Sequence, residues 1–147
     1  MAEAGSAVTV GRGARSFEDL RVFQEARALA NRVLLLTRTT RLAKDYALCD
    51  QMRRAAVSIV SNIAEGFERE TRPEFIRGLY VARGSCGELR AQLLLAFDQQ
   101  HFPKSEHESL AADCRRVSVG LWRLIQYLRK RSEASLSGDG RSRRTNS

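Results

Sequence analysis

Apolar residues recur at intervals of three and four along residues 17–132, and no segment alternates apolar with polar residues as a strand does. That period predicts an all-α chain, because a helix turns about 100° per residue and such spacing gathers apolar groups on one face. Only two prolines interrupt the pattern, at 73 and 103, and both fall at expected helix starts. Hydrophobic residues are 43% of the 147, enough for a core and too many for a wholly disordered chain.

Each of four helices has a start signal. Ser16, with Asp19 three residues on, is expected to cap a first helix that runs to about Thr37. Leu20, Phe23, Ala26 or Arg27, Ala30, and Val33 or Leu34 mark its buried side. The second begins near Asp45 and follows Leu48, Met52, Ala55, Ile59 and Ile63 to Gly66, where glycine suits a left-handed closing conformation. Thr71-Arg-Pro-Glu74 opens the third as a capping box with proline in the first turn. Its stripe is Phe75, Leu79, Ala82, Cys86, Leu89, Leu93 and Phe97 or Ala96. Ser105-Glu-His-Glu108 is a second box, followed by Leu110, Cys114, Val117, Leu121, Leu124 and Leu128. Short connections make sequential helices antiparallel neighbours, so the expected fold is an up-and-down four-helix bundle roughly 30–40 Å long. Residues 1–16 and 133–147, rich in small and polar residues, are expected to be flexible tails on a bundle of residues 17–132.

Several functions are disfavoured. The longest apolar run, Leu93 to Phe97, is far short of the roughly 20 residues that span a bilayer. The N-terminus lacks the roughly 7–15-residue apolar stretch of a signal peptide, so a cytoplasmic protein without membrane contact is expected. Cys49, Cys86 and Cys114 are widely spaced, which points to reduced, packed thiols rather than disulfides or a zinc site. His101 and His107 flank Pro103 beside Glu106 and Glu108 and are expected to be plain surface residues, not catalytic or metal-binding groups. Asp50, Glu65 and Glu88 do not make the Glu-x-x-His pattern of a bundle di-metal site. Glu65 and Glu88 are expected instead to pair with arginines across helices. No enzyme activity, cofactor or metal is expected.

The formal charge is +8, and residues 17–132 carry most of it, with 20 basic and 14 acidic groups. Arg116, Arg123 and Lys130 are seven apart, hence on one face of the fourth helix, and Arg115, Arg129 and Arg131 broaden that face. The second helix adds Arg53 and Arg54, and the third adds Arg83 and Arg90. Such stripes suit a phosphate backbone, with binding that weakens as salt rises; they also suit solvated bundle faces. Aromatics are 7% and mostly at core spacing, so recognition of backbone or shape is expected rather than base stacking.

Two features go beyond what one bundle needs. Val33-Leu34-Leu35-Leu36, Leu93-Leu94-Leu95-Ala96-Phe97 and Val57 put apolar groups on second helix faces. These are either ordinary surface scatter or faces buried against other copies of the chain, and the latter reading is preferred. Gly78, Ala82 and Cys86 recur every four positions near Gly84 and Gly87, which points to close helix packing.

Gln51, Ser58, Asn62 and Glu65 fall within about 60° of arc beside the apolar stripe of the second helix. Such a row is either a solvated edge or a partly buried network that sets register. Here the chain resembles a known family. Gln51-Met-Arg-Arg-Ala-Ala-Val-Ser58-Ile-Val-Ser-Asn62-Ile-Ala-Glu65-Gly66 is similar to Q-L-R-R-A-x-x-S-I-x-x-N-I-A-E-G, the signature of the 23S rRNA intervening-sequence proteins. Phe17-Glu-Asp-Leu20, Gln24 and Ala26 resemble that family's opening, and Arg69, Phe75, Leu79, Ala82, Gly84-Ser85 and Glu88-Leu89 its third helix, so the likeness covers about residues 17–130. Cys86 departs from the pattern, which has a larger apolar residue there, and the tails are longer than in a minimal member.

The resemblance implies an antiparallel four-helix bundle that assembles as a ring-like homopentamer, with no known enzymatic activity. A related branch, the accessory proteins of diversity-generating retroelements, shares that architecture and binds a reverse transcriptase and nucleic acid. Five-fold repetition would join basic stripes into one surface. The resulting expectation is a non-enzymatic homo-oligomer that binds RNA or DNA through the phosphate backbone. An adaptor or accessory subunit, for example of a reverse transcriptase, is the alternative. Gln51, Ser58, Asn62, Glu65 and Gly66 are expected to be structural.

Overall fold

The computed structural model describes residues 14–139, which form four α-helices and no strand. These are α1 (Arg21–Thr39), α2 (Tyr46–Glu68), α3 (Arg72–Asp98) and α4 (Lys104–Asp139), with short 3-10 turns at Phe17–Asp19 and Arg41–Lys44. Each helix packs on the next in sequence, and α4 closes back on α1.

Paired residues give the directions. Gly66 meets Gly78 while Ser58 meets Ser85, so α2 and α3 run oppositely. Tyr80 lies by Trp122 and Phe97 stacks on His107, which reverses α4 relative to α3. Val22 approaches Gly120 while Arg32 reaches Glu106, Ser109 and Asp113, so α1 and α4 are antiparallel as well.

The apolar stripes meet in one core. Leu29, Met52, Ile59, Ile63, Leu79, Leu89, Leu93, Leu110, Leu121 and Ile125 are among its fully buried side chains. Cys49, Cys86 and Cys114 are free thiols within it. Burial pushes Cys86 up to about 12 and Cys114 up to about 11, from an ordinary thiol value of 9.0. Arg32 ties α1 to α4, donating to Asp113 Oδ2 at 2.5 Å, Ser109 Oγ at 3.0 Å and Glu106 Oε1 at 3.3 Å.

The start signals have mixed outcomes. Asp45 caps α2 as expected, its Oδ1 accepting from Leu48 N at 3.3 Å. Ser16 and Asp19 instead close a tight turn, with Asp19 Oδ2 accepting from the backbone N–H groups of Arg15 and Ser16 at 3.0 and 3.2 Å. Leu20, extended and buried, then separates that turn from α1. Thr71 is the N-cap of α3, but its side chain makes no capping bond; its carbonyl accepts from Phe75 N instead. Ser105 lies inside α4, which begins one residue earlier, where the Pro103 carbonyl accepts from Glu106 and His107 N. Proline has already fixed the entry there, so the second box is not used as a cap.

Gly66 is not a helix end: α2 continues through it to Glu68. The expected bundle boundary at 132 also falls inside a helix, since α4 runs on to Asp139. The tail residues 1–13 and 140–147 lie outside the described residues. Where α3 ends, Gln100 has φ 59°, His101 N donates to Ala96 O, and Gln100 N donates to Phe97 O. That is a Schellman closure with glutamine where glycine is usual. No described helix is long and apolar enough to cross a membrane.

Candidate nucleic-acid interface

Two heptad rows run along α4, one position apart. Arg115, Trp122 and Arg129 make one row, and its Trp122 and Arg129 meet α3. There the Arg129 guanidinium lies 5.2 Å from the Tyr80 ring, and Trp122 meets Tyr80 edge-on at 6.5 Å. Arg116, Arg123 and Lys130 lie about 100° further round, all exposed, on the outer face. Arg116 donates to Asp113 at 3.0 Å, whereas Arg123 and Lys130 have no ion pair among the described residues. The one broad face expected of α4 is thus two surfaces. Arg131 belongs to neither, since it donates to Tyr127 Oη on its own helix at 2.7 Å.

Arg53 and Arg54 stand on α2, diagonally across the bundle from α4, and one chain does not join them to the α4 rows. Arg54 is also paired with Asp50 at 2.9 Å, while Arg53 is unpaired among the described residues.

Between α3 and α4 lies a cleft of about 390 Å³ lined by Tyr80, Arg83, Gly84, Gly87, Arg90 and Ser118. Arg83 sits over the Trp122 ring at 4.7 Å. Arg90 and Arg115 both act on the Cys114 thiol, their charge opposing its upward shift. Gly84 and Gly87 are exposed, and a side chain at either would meet nothing within 4 Å. Close helix packing therefore does not explain them, contrary to expectation. That role belongs to Gly66 and Gly78.

Most aromatic residues serve the core, as their spacing predicted: Phe23 and Phe102 are buried, and Phe17, Phe67, Phe75, Tyr80 and Phe97 pack half-buried against it. Tyr46, Trp122 and Tyr127 are the exposed exceptions among the described residues. The spacing Arg115–Trp122–Arg129 was the sequence signal for an aromatic between two basic residues, and the neighbouring row Arg116–Arg123–Lys130 obscured it.

The polar row of α2 is a network at its centre and a solvated edge at its ends. Ser58 Oγ and Ser85 Oγ are 2.8 Å apart across the α2–α3 contact. Asn62 Nδ2 donates to Ser58 O at 2.8 Å and to Ser58 Oγ at 3.0 Å. Gln51 is exposed. Glu65 accepts from Arg69 on its own helix at 2.8 Å, and Glu88 accepts from Gln92 at 3.2 Å. The cross-helix pairing expected of these two glutamates gives way to partners four residues on. Beside Glu65 the signature residues Asn62 and Gly66 line a 310 Å³ cleft with Arg69, Glu74 and Arg77.

The histidines serve the bundle end. His101 Nε2 lies 3.2 Å from Asp45 Oδ2, which ties the α3–α4 turn to the α2 cap, and His107 stacks on Phe97 at 4.9 Å. No cluster of three His, Cys, Asp or Glu side chains fit for a metal occurs among the described residues.

Surplus apolar residues on all four helices face outward. Leu35 on α1 is 53% exposed, Val57 on α2 49%, and Leu95 on α3 55%, with Leu94 and Val119 similar.

The family model described as 23S rRNA-intervening sequence protein matches residues 18–123. Among solved structures, the chain is similar to a protein of unknown function of the S23 ribosomal protein family from Bacteroides thetaiotaomicron, with 24% identity and a TM-score of 0.67. That match covers 71% of this chain and 95% of the other, and it supports the fold. No curated protein matches the chain.

Proposed function

Since the chain belongs to the family of 23S rRNA-intervening sequence proteins, we propose that it is a non-enzymatic, cytoplasmic homo-oligomer whose basic surface binds RNA or DNA through the phosphate backbone. The observation that carries the reading is the set of cations left without carboxylates. Arg53, Arg115, Arg123, Arg129 and Lys130 form no ion pair among the described residues, although acidic side chains elsewhere pair freely. Unpaired guanidiniums on an exposed helix face can displace the counterions of a polyanion. Arg116 and Arg54, already held by Asp113 and Asp50, contribute less.

Assembly is supported by the outward apolar residues Leu35, Val57, Leu94 and Leu95. A soluble monomer gains nothing by exposing them, whereas copies packed side by side would bury them. The resemblance suggests five copies.

Two measurements test the reading. Light scattering should give a mass several times that of one chain; a monomeric mass would remove the assembly. Titration against structured RNA and duplex DNA should give binding that falls log-linearly with salt. Arg116→Glu with Arg123→Glu should weaken it while leaving the mass intact. No binding even at low salt would leave an acidic protein partner, and so an adaptor role, as the use of the charge.

A further inference from the structure

The α3–α4 cleft combines three properties that do not occur together on the outer face of α4. It is basic without a compensating acid: Arg83 and Arg90 line it from α3 and no carboxylate does. At its α4 border Arg129 stands over the lining Tyr80, and Arg115 lies one turn before the lining Ser118. None of the four arginines makes an ion pair among the described residues. It holds aromatic rings beside the cations, with Arg83 over Trp122 at 4.7 Å and Arg129 over Tyr80 at 5.2 Å. Its α3 wall is open, since Gly84 and Gly87 project no side chain and nothing lies within 4 Å of where one would be.

We propose that this cleft is a binding site for single-stranded nucleic acid, with Arg83, Arg90, Arg115 and Arg129 on the phosphates and Trp122 beside a base. The proposal rests on the polyanion reading above and assigns it a different place from the outer row Arg116, Arg123 and Lys130.

Charge alone would suit any polyanion, but the rings narrow the choice. A duplex hides the faces of its bases in its own stack, whereas a single strand has open π faces that gain by stacking on an aromatic side chain. A guanidinium lying flat on an aromatic ring keeps its N–H edge free, so Arg83 and Arg129 can stack and still donate to phosphate oxygens. Trp122 is 37% exposed, enough of the indole for a base to reach. From Tyr80 to Arg90 the wall is about 15 Å long at 1.5 Å per residue, enough for a short extended strand to lie along the groove surface over the packed pair of helices. Gly84 and Gly87 let its backbone approach the helix where larger side chains would hold it off.

Trp122 is the only tryptophan in the chain and so reports on the cleft directly. The full-length protein would be titrated with fluorescein-labelled oligouridylate and with a duplex of equal length, following label anisotropy and tryptophan emission together. The expected result is quenching of Trp122 in step with anisotropy, and tighter binding of the single strand than of the duplex. Arg83→Gln with Arg90→Gln should weaken single-strand binding at least tenfold at constant helicity and mass, and Trp122→Leu should weaken it about tenfold.

Strand binding that leaves Trp122 emission unchanged and ignores Arg83→Gln/Arg90→Gln would overturn the cleft while preserving the polyanion reading. A duplex that binds as tightly as the single strand would overturn the strand selectivity. A drop in mass on Arg83→Gln/Arg90→Gln would give the cleft to a second copy of the chain and overturn the proposal. Absence of binding by either probe at low salt would overturn both the cleft and the reading beneath it.

Discussion

Gly78 packs against Gly66 so closely that a methyl group on it would lie 3.0 Å from the Gly66 Cα and 2.8 Å from the Asn62 carbonyl oxygen. Both obstacles are backbone, so neither can swing aside. The two glycines let α2 and α3 touch main chain to main chain just before the turn that joins them. Gly66 therefore serves a helix–helix contact in the last turn of α2 and does not take up a left-handed closing position.

Gly78→Ala should accordingly destabilise the chain by about 2 kcal/mol, the cost of forcing two helices apart against their own packing. Gly84→Ala and Gly87→Ala face open space and should stabilise α3 by up to about 1 kcal/mol through helix propensity. Urea unfolding of the three variants checks the contrast. Equal destabilisation by all three would show that the close contact is not at Gly78.

Ser58→Ala should cost about 1 kcal/mol, because it strands the Ser85 hydroxyl, which is only 7% exposed. The double variant Ser58→Ala/Ser85→Ala should cost less than the sum of the two singles, since removing both partners leaves nothing unpaired. Asn62→Ala should cost less than Ser58→Ala, as its amide bonds only within its own helix and to Ser58. A double-mutant cycle in thermal unfolding measures these couplings; additive losses would mean the hydroxyl pair contributes nothing.

The buried thiols set an alkaline limit. Burial holds Cys86 at about 12 and Cys114 at about 11, whereas an unfolded thiol ionises near 9.0. The unfolded state thus loses these protons first as pH rises. The contribution to stability is complete below about pH 9 and is lost progressively as pH climbs through the folded values. Cys49 shifts upward too, through burial and the nearby Asp45 carboxylate. Iodoacetamide at neutral pH should leave Cys86 and Cys114 unmodified until denaturant is added, as read by intact mass. Rapid labelling of either in the native protein would show that the core opens there.

Helix class and the main apolar stripes were legible because they are local. Positions such as Met52, Ile59, Leu79, Cys86, Leu110 and Leu121 fall on the three-and-four period, and the structure buries them all. Asp45 could be read as a cap because capping depends on a side chain and a backbone N–H three residues away. The signature in α2 marked residues that matter to packing. Its string could not tell that Ser58 reaches Ser85, nor that Glu65 turns to Arg69.

What the sequence by itself determined was the number of helices, their polarity of faces and the excess of positive charge, all properties of spacing and composition. Only the tertiary structure decided which glycines meet, which capping boxes are used, and which arginines share a surface. A heptad assigns residues to a face of one helix but carries no information on which neighbour that face meets. Arg129 and Lys130 are adjacent in the chain, yet Arg129 lies over the Tyr80 ring of α3 while Lys130 is exposed without an ion pair among the described residues, because the packing of α3 on α4 fixes the rotation of each helix about its axis.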